Sequence, residues 1–451
     1  MDNAGRGDQA RRVIVLGAGL AGLSAARDLE SAGATVTVVE ARDRVGGRVH
    51  TISSGLGNRQ HAEAGADLIE EDQRFVLKLA RDLKLKTVRI LRGGFGYYTP
   101  DRAGRRRMRS GPGAFEESAR RLRRAIDDYC LAGKRWDSAV AVHLAQQSVA
   151  DWLDRERVSD AFRASVCALR GFFVADPEDL SLIALVDQFA SGGTPGQSRI
   201  FRIQGGNERL PRAIAKALRG EVLLETVVRR IRQNGAGVRI TVATRGRQAE
   251  LHAGFCVVTL PASTLRDVFF QPVLPPEQTR AIATLRYGAA TRMLLQFEKP
   301  FWRRPGQGRA FGSDLPTGAV WDGSEDQHAR SGILSLLAGG KGSRALRELV
   351  AKEGPGGAVS RLSWLGPPTR LLASRIISWE DDPWSRGAYA VFDPSFDPRL
   401  RAWLARPAGR LVFAGEHTSL TSQGYMNGAI ESGRRAAAEI RALWAQTDRQ
   451  A

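Results

Sequence analysis

The stretch RRVIVLGAGLAGLSAARDLESAGATVTVVEARDRVGGR, residues 11–48, constrains the fold more than any other part of the chain. Val13–Leu16 is a short β-branched run, and Gly17, Gly19 and Gly22 follow it in a GxGxxG pattern. Leu20–Glu30 then places Leu20, Leu23, Ala26 and Leu29 at helical spacing, and Thr35–Val39 reads as a second strand that delivers Glu40. Each position has a physical reason. Gly17 permits a tight turn, Gly19 lets the backbone approach a pyrophosphate, and Gly22 lets helix pack on strand, with the helix N-terminus facing the phosphates. Glu40 is placed to accept hydrogen bonds from an adenosine ribose. A lone GxGxxG says little, but strand, turn, helix, strand and terminal acid in register predict a dinucleotide bound by an α/β, Rossmann-like unit.

The rest of the chain is large enough for more than that unit. With 451 residues, 43% of them hydrophobic, it can bury one large core or two, which fits an enzyme of two domains. The 67 Lys and Arg against 48 Asp and Glu give a net charge of +19. Such an excess reads first as an arginine-rich solvated surface, and second as attraction for an anionic partner. No zinc-finger spacing, basic zipper or RNP-like strand suggests specific nucleic-acid binding. Cys130, Cys167 and Cys256 are single and scattered, which argues against a disulfide framework or a CxxC site. The first ten residues are polar, the apolar run after them is broken by Asp28 and Glu30, and no stretch is long enough to span a bilayer. These features lead us to expect a soluble cytoplasmic protein.

Which dinucleotide is bound follows from the continuation ARDRVGGR, where Gly46 and Gly47 offer another close backbone approach and Arg48 a guanidinium for the same pyrophosphate. That favours FAD. Together with FAGEHTS and GYMNGAIESG near the C-terminus, these motifs resemble the flavin-containing amine oxidases, a family that includes monoamine, polyamine and L-amino acid oxidases. The resemblance spans nearly the whole chain and implies a Rossmann-like FAD-binding domain with an interleaved α+β substrate domain, made of a mixed sheet plus helices. Residues 11–71, 199–284 and 379–445 are expected in the FAD half, the mostly helical 72–198 and the sheet-forming 285–378 in the substrate half. For cofactor contacts it implies Gly17, Gly19, Gly22, Glu40, Arg42, Gly47, Arg48, Val228, Gly415, Glu416, Gly424 and Met426. Glu416 would meet the ribityl or phosphate region, and a helix starting near Gly424 would aim its N-terminal amides, Met426 first, at the isoalloxazine oxygen.

At the reacting face the resemblance implies Trp379 beside the flavin and an aromatic cage made by Tyr389 and Tyr425, whose ring faces suit cationic and neutral nitrogen. Two departures matter. Ala388 stands where some members link a cysteine covalently to the flavin, so FAD should be non-covalent and dissociable. Arg292 stands where the family typically holds a lysine. Arginine stays charged and cannot act as a base, so it would hold a substrate carboxylate, stabilise the reduced flavin, or merely be salt-bridged beside the pocket.

The chemistry so implied is hydride transfer from the carbon bearing nitrogen to flavin N5, with O2 as final acceptor, giving hydrogen peroxide and an imine that water hydrolyses to aldehyde or keto acid plus ammonia or amine. No GxSxG elbow, HExxH motif or histidine ligand spacing suggests a nucleophile or a metal. An L-amino acid is the alternative substrate to a plain amine. Ala66, Asp67 and Leu68 after Gly65 lack the arginine that L-amino acid oxidases of this family often carry there, and Arg292 partly restores that reading. Two further functions stay open at this point: a carbon–carbon desaturase, and a flavoprotein that only binds an acidic partner. A homodimer is compatible with each of them.

Overall fold

The protein is described by a computed structural model covering residues 11–101, 103–110, 113–191 and 199–450. One part is built on a five-stranded sheet in the order 222–223, 35–39, 12–16, 255–258, 411–413, with every neighbouring pair parallel. Phe255–Val258 is buried throughout and Val13–Leu16 likewise, as expected for strands covered on both faces. The helices Leu20–Ser31 and Met426–Gln450 pack against each other on one side of this sheet. Their approach is close: a Cβ added at Gly433 would lie 2.1 Å from the Ala21 carbonyl oxygen.

The expected first strand, turn and helix are present. Gly17 has φ of +103°, and a Cβ on Gly22 would sit 1.9 Å from the Gly17 carbonyl oxygen, so helix and strand meet there backbone to backbone. The run EVLLETVVRRI, residues 221–231, forms two strands. Glu225 turns the chain with φ of +52°. Val222–Leu223 joins the parallel sheet, while Thr226–Gln233 starts a separate four-stranded layer with Val238–Thr244, Arg247–Ala253 and Phe269–Gln271.

The second large sheet has seven strands in the order 371–378, 290–297, 332–339, 319–322, 310–313, 95–100, 106–110. It is mixed, since 95–100 runs parallel to 310–313 and the other pairs are antiparallel. The strand Ala290–Phe297, second from one edge, is buried at every position. The hairpin 95–110 comes from the segment read as mostly helical. The rest of that segment supplies short helices, of which Arg170–Phe173 packs on the strand Gly332–Gly339 and Leu182–Ala190 borders the space between the two sheets.

Candidate active site

One continuous cavity of about 460 Å³ runs from the C-terminal ends of the parallel strands to the face of the seven-stranded sheet. Its end beside the parallel strands is framed by Gly17, Gly19, Glu40, Arg42, Gly46, Gly47, Arg48 and Val228. Ligands of open parallel sheets sit outside the carboxyl ends of the strands, and the N-terminus of Leu20–Ser31 opens there. Glu40 is buried and accepts from the backbone N–H groups of Ala18 at 2.8 Å and Arg42 at 2.9 Å, so its carboxylate ties the glycine turn to the end of the second strand. The Arg42 guanidinium binds Asp382 and Ser385, linking this end to the 380s loop.

Arg48, read as a pyrophosphate ligand, lines the cavity and ties the Gly46–Gly47 turn to the C-terminal one. Its Nη1 donates to Glu416 Oε1 at 2.9 Å and to the Ala388 carbonyl at 2.7 Å. Glu416 also accepts from the backbone N–H of Ala390 at 3.3 Å and of Gly424 at 3.0 Å. Burial opposes its charge, yet Arg48, His417 and these hydrogen bonds hold the carboxyl below the usual range. The helix expected near Gly424 begins at Met426, and Gly424 precedes it in a turn closed on Glu416. Gly415, Glu416, Gly424, Tyr425 and Met426 all line the cavity, whereas Gly22 lies behind it in the helix–strand contact.

The far end holds Trp379, Tyr389, Tyr425 and Arg292 together. Trp379 Nε1 donates to the Ala64 carbonyl at 2.9 Å and Arg292 Nη2 to the Gly65 carbonyl at 2.7 Å, so two side chains from distant elements fix consecutive peptides. Arg292 Nη1 donates to Ser335 Oγ at 2.9 Å, and its guanidinium carbon lies 4.5 Å from the Trp321 ring centroid. It has no ion-pair partner among the described residues, which removes the reading of a salt bridge beside the pocket. Its Nε is buried and unbonded. Burial lowers its pKa to about 10, which leaves it cationic at neutral pH. The Tyr389 hydroxyl donates to the Phe172 carbonyl, and the Tyr425 hydroxyl accepts from Gln188 Nε2 at 2.9 Å. Burial pushes both phenols up, so both stay neutral.

Phe95, Phe115, Phe172, Phe173 and Trp321 line the remaining wall, with Asp67, Glu70 and Gln188 among its polar members. The sequence reading missed these residues. They come from weakly patterned segments, and only the tertiary placement turns them toward one space. None of the three cysteines borders the cavity, and Ala388 stands beside Tyr389 in the wall.

The residues fit FAD by a direct structural criterion: a Cβ built on Gly19 meets nothing within 4 Å, so at the mouth of the helix there is open space where a pyrophosphate belongs. A parallel sheet whose glycine turn opens on one long cavity, with a second glycine turn tied to it through Arg48 and Glu416 and an aromatic chamber beyond, defines a flavoprotein oxidoreductase. The chain belongs to the flavin-containing amine oxidoreductases, whose family model matches residues 20–441. It is an FAD-dependent amine oxidase.

Among relatives, a protein described as the flavin-containing monoamine oxidase AofH of Mycobacterium tuberculosis is 29% identical over 96% of each chain. The flavin-dependent L-tryptophan oxidase RebO of Lentzea aerocolonigenes is also 29% identical, over 96% of this chain and 98% of its own. Among solved structures, cyclohexylamine oxidase from Brevibacterium oxydans superposes with a TM-score of 0.83 at 25% identity, covering 95% of this chain and 98% of the other. A putrescine oxidase bound to putrescine gives 0.83 at 26%, covering 96% and 99%. No helix among the described residues is long and apolar enough to cross a membrane, and no group of metal-ligating side chains occurs among them.

Proposed function

We propose that the protein oxidises a bulky, apolar amine and releases hydrogen peroxide, with residues 11–71, 199–284 and 379–445 holding FAD and 72–198 and 285–378 shaping the substrate half. The observation that carries the substrate class is the chamber wall of Phe95, Phe115, Phe172, Phe173 and Trp321, which suits an apolar body better than a chain of ammonium groups. FAD supplies, when bound, a two-electron acceptor for hydride from the carbon bearing nitrogen and a path for those electrons to dioxygen.

The chain's own part is orientation and exclusion of water. Tyr389 and Tyr425 present ring faces to the amine. The Tyr389 hydroxyl spends its proton on the Phe172 carbonyl. Tyr425 accepts from Gln188, which leaves its own proton available to a substrate atom. Gly17, Gly19, Glu40, Arg42, Gly47, Val228 and Met426 would hold the cofactor, with Arg48 and Glu416 clamping its two glycine turns together. Arg292 supports a second reading, an aromatic L-amino acid, because a buried guanidinium with an unbonded Nε and no carboxylate partner suits an incoming carboxylate.

Anaerobic addition of single substrates to the flavin-loaded protein tests both. Bleaching of the oxidised flavin by aromatic or alicyclic primary amines, with peroxide on readmission of air, is the expected result. Bleaching by aromatic L-amino acids alone selects the second reading. Bleaching only by putrescine and longer polyamines overturns both.

A further inference from the structure

The chain between Phe413 and Met426 touches the cavity at its two ends, through Gly415 and Glu416 and then through Gln423–Met426. Its middle, residues 417–422, is gripped from behind by Arg401. This arginine sits in the short helix Pro398–Leu404 and is 2% exposed. Nη1 donates to the His417 carbonyl at 2.5 Å and Nη2 donates to the Ser419 carbonyl. The guanidinium carbon lies 4.5 Å from the Phe392 ring centroid and 5.3 Å from that of Trp136. Phe392 itself borders the cavity, three residues beyond Tyr389.

Arg401 has no ion-pair partner among the described residues, and its Nε is buried without a hydrogen bond. Burying an unpaired guanidinium is unfavourable, and an apolar side chain of similar size would fill the same space without that cost. What arginine adds is a rigid, charged fork that can hold two carbonyls at once. Those carbonyls flank Thr418, in the only covalent route between Glu416 and Gly424, whose own contact at 3.0 Å closes the turn ahead of the Met426 helix.

We propose that Arg401 is a positioning residue for FAD. Without touching the cavity, it fixes the 417–419 backbone so that Glu416 and the N-terminus of the Met426 helix meet the flavin in one register. This rests on the FAD-binding reading above. A displaced helix N-terminus stabilises negative charge on the ring less well, so the flavin's reduction potential reports the register in a way that fold stability does not.

The test titrates cofactor-free wild-type, Arg401→Met and Arg401→Lys proteins with FAD, following quenching of flavin fluorescence. The midpoint potential and melting temperature of each loaded protein are measured alongside. The Met variant is expected to bind FAD about tenfold more weakly and to show a more negative potential, and the Lys variant, which keeps the charge and can reach one carbonyl, to recover part of both. A Met variant with wild-type potential, whether or not its melting temperature or affinity falls, makes Arg401 a stability residue only and overturns the proposal. If the Met variant does not fold, wild-type affinity and potential in the Lys variant overturn it equally. A wild-type protein that binds no FAD would sink the cofactor reading instead, a distinct result.

Discussion

Arg292 and His417 are both buried ionisable groups in or beside the cavity, and burial acts on them with opposite consequences for charge. Arg292 remains cationic because even its lowered pKa of about 10 lies well above neutrality. Replacing it with Met removes a charge-assisted hydrogen-bond donor worth about 1.5–3 kcal/mol. If a substrate carboxylate docks there, KM for an aromatic L-amino acid rises about 10- to 100-fold while that for the matching simple amine hardly moves. Equal changes for both, seen in steady-state kinetics, would remove Arg292 from substrate recognition. His417 is held neutral, its pKa pushed down to about 4 by burial and then by Arg48 and Arg401 against the opposing pull of Glu416. A base whose folded pKa is depressed contributes stability above its unfolded value and loses it as pH falls. We therefore expect denaturant midpoints to drop between pH 6.5 and 4, with about 2–3 kcal/mol of that loss removed in His417→Gln.

Within single elements the glycine turn separates two kinds of requirement. A Cβ at Gly22 would lie 1.9 Å from backbone, so Gly22→Ala must push helix from strand, costing about 1–3 kcal/mol. A Cβ at Gly19 meets nothing, so Gly19→Ala should leave the melting temperature of the cofactor-free protein unchanged while obstructing the pyrophosphate and weakening FAD at least tenfold. Thermal melts and FAD titration of the two variants distinguish these effects, and a Gly19→Ala protein with normal FAD affinity would place the pyrophosphate elsewhere.

The same element shows why part of the molecule was legible in sequence. Turn, cap and strand chemistry act over a few residues, so residues 12–40 could be read directly. The hairpin 95–110 could not, because its outer strand Arg106–Ser110 alternates nothing apolar and is a strand only through its partner. The split at Glu225 depends on one positive φ in a run that otherwise favours β structure throughout. In the site, Tyr389 and Tyr425 stood out through motifs, whereas Phe172 and Phe173 face the cavity because their short helix lies on a sheet and Gln188 because its helix packs on other helices, which periodicity does not encode.

Across the whole molecule, the cavity keeps its shape only if the small sheet 69–70, 200–203, 87–90 stays docked to the seven-stranded one. Arg202 makes that joint. It is 1% exposed and pairs with Asp67 and Asp326, each at 2.7 Å, while Asp67 also accepts from Trp321 Nε1 at 2.7 Å. Trp321 in turn lies beneath Arg292, so one ion-pair cluster, whose Asp67 itself borders the cavity, supports the aromatic end. Removing one member of such a cluster leaves buried charge uncompensated, whereas neutralising all of it does not. Arg202→Met should therefore lose about 3–5 kcal/mol in urea denaturation. The triple variant Arg202→Met, Asp67→Asn, Asp326→Asn should recover much of that loss. The two proteins separate stability from catalysis: if the cluster orients Trp321 and Arg292, the triple variant stays folded yet keeps a lowered kcat. A triple variant with wild-type kcat would show that the joint holds the sheets together but leaves the reacting end to position itself.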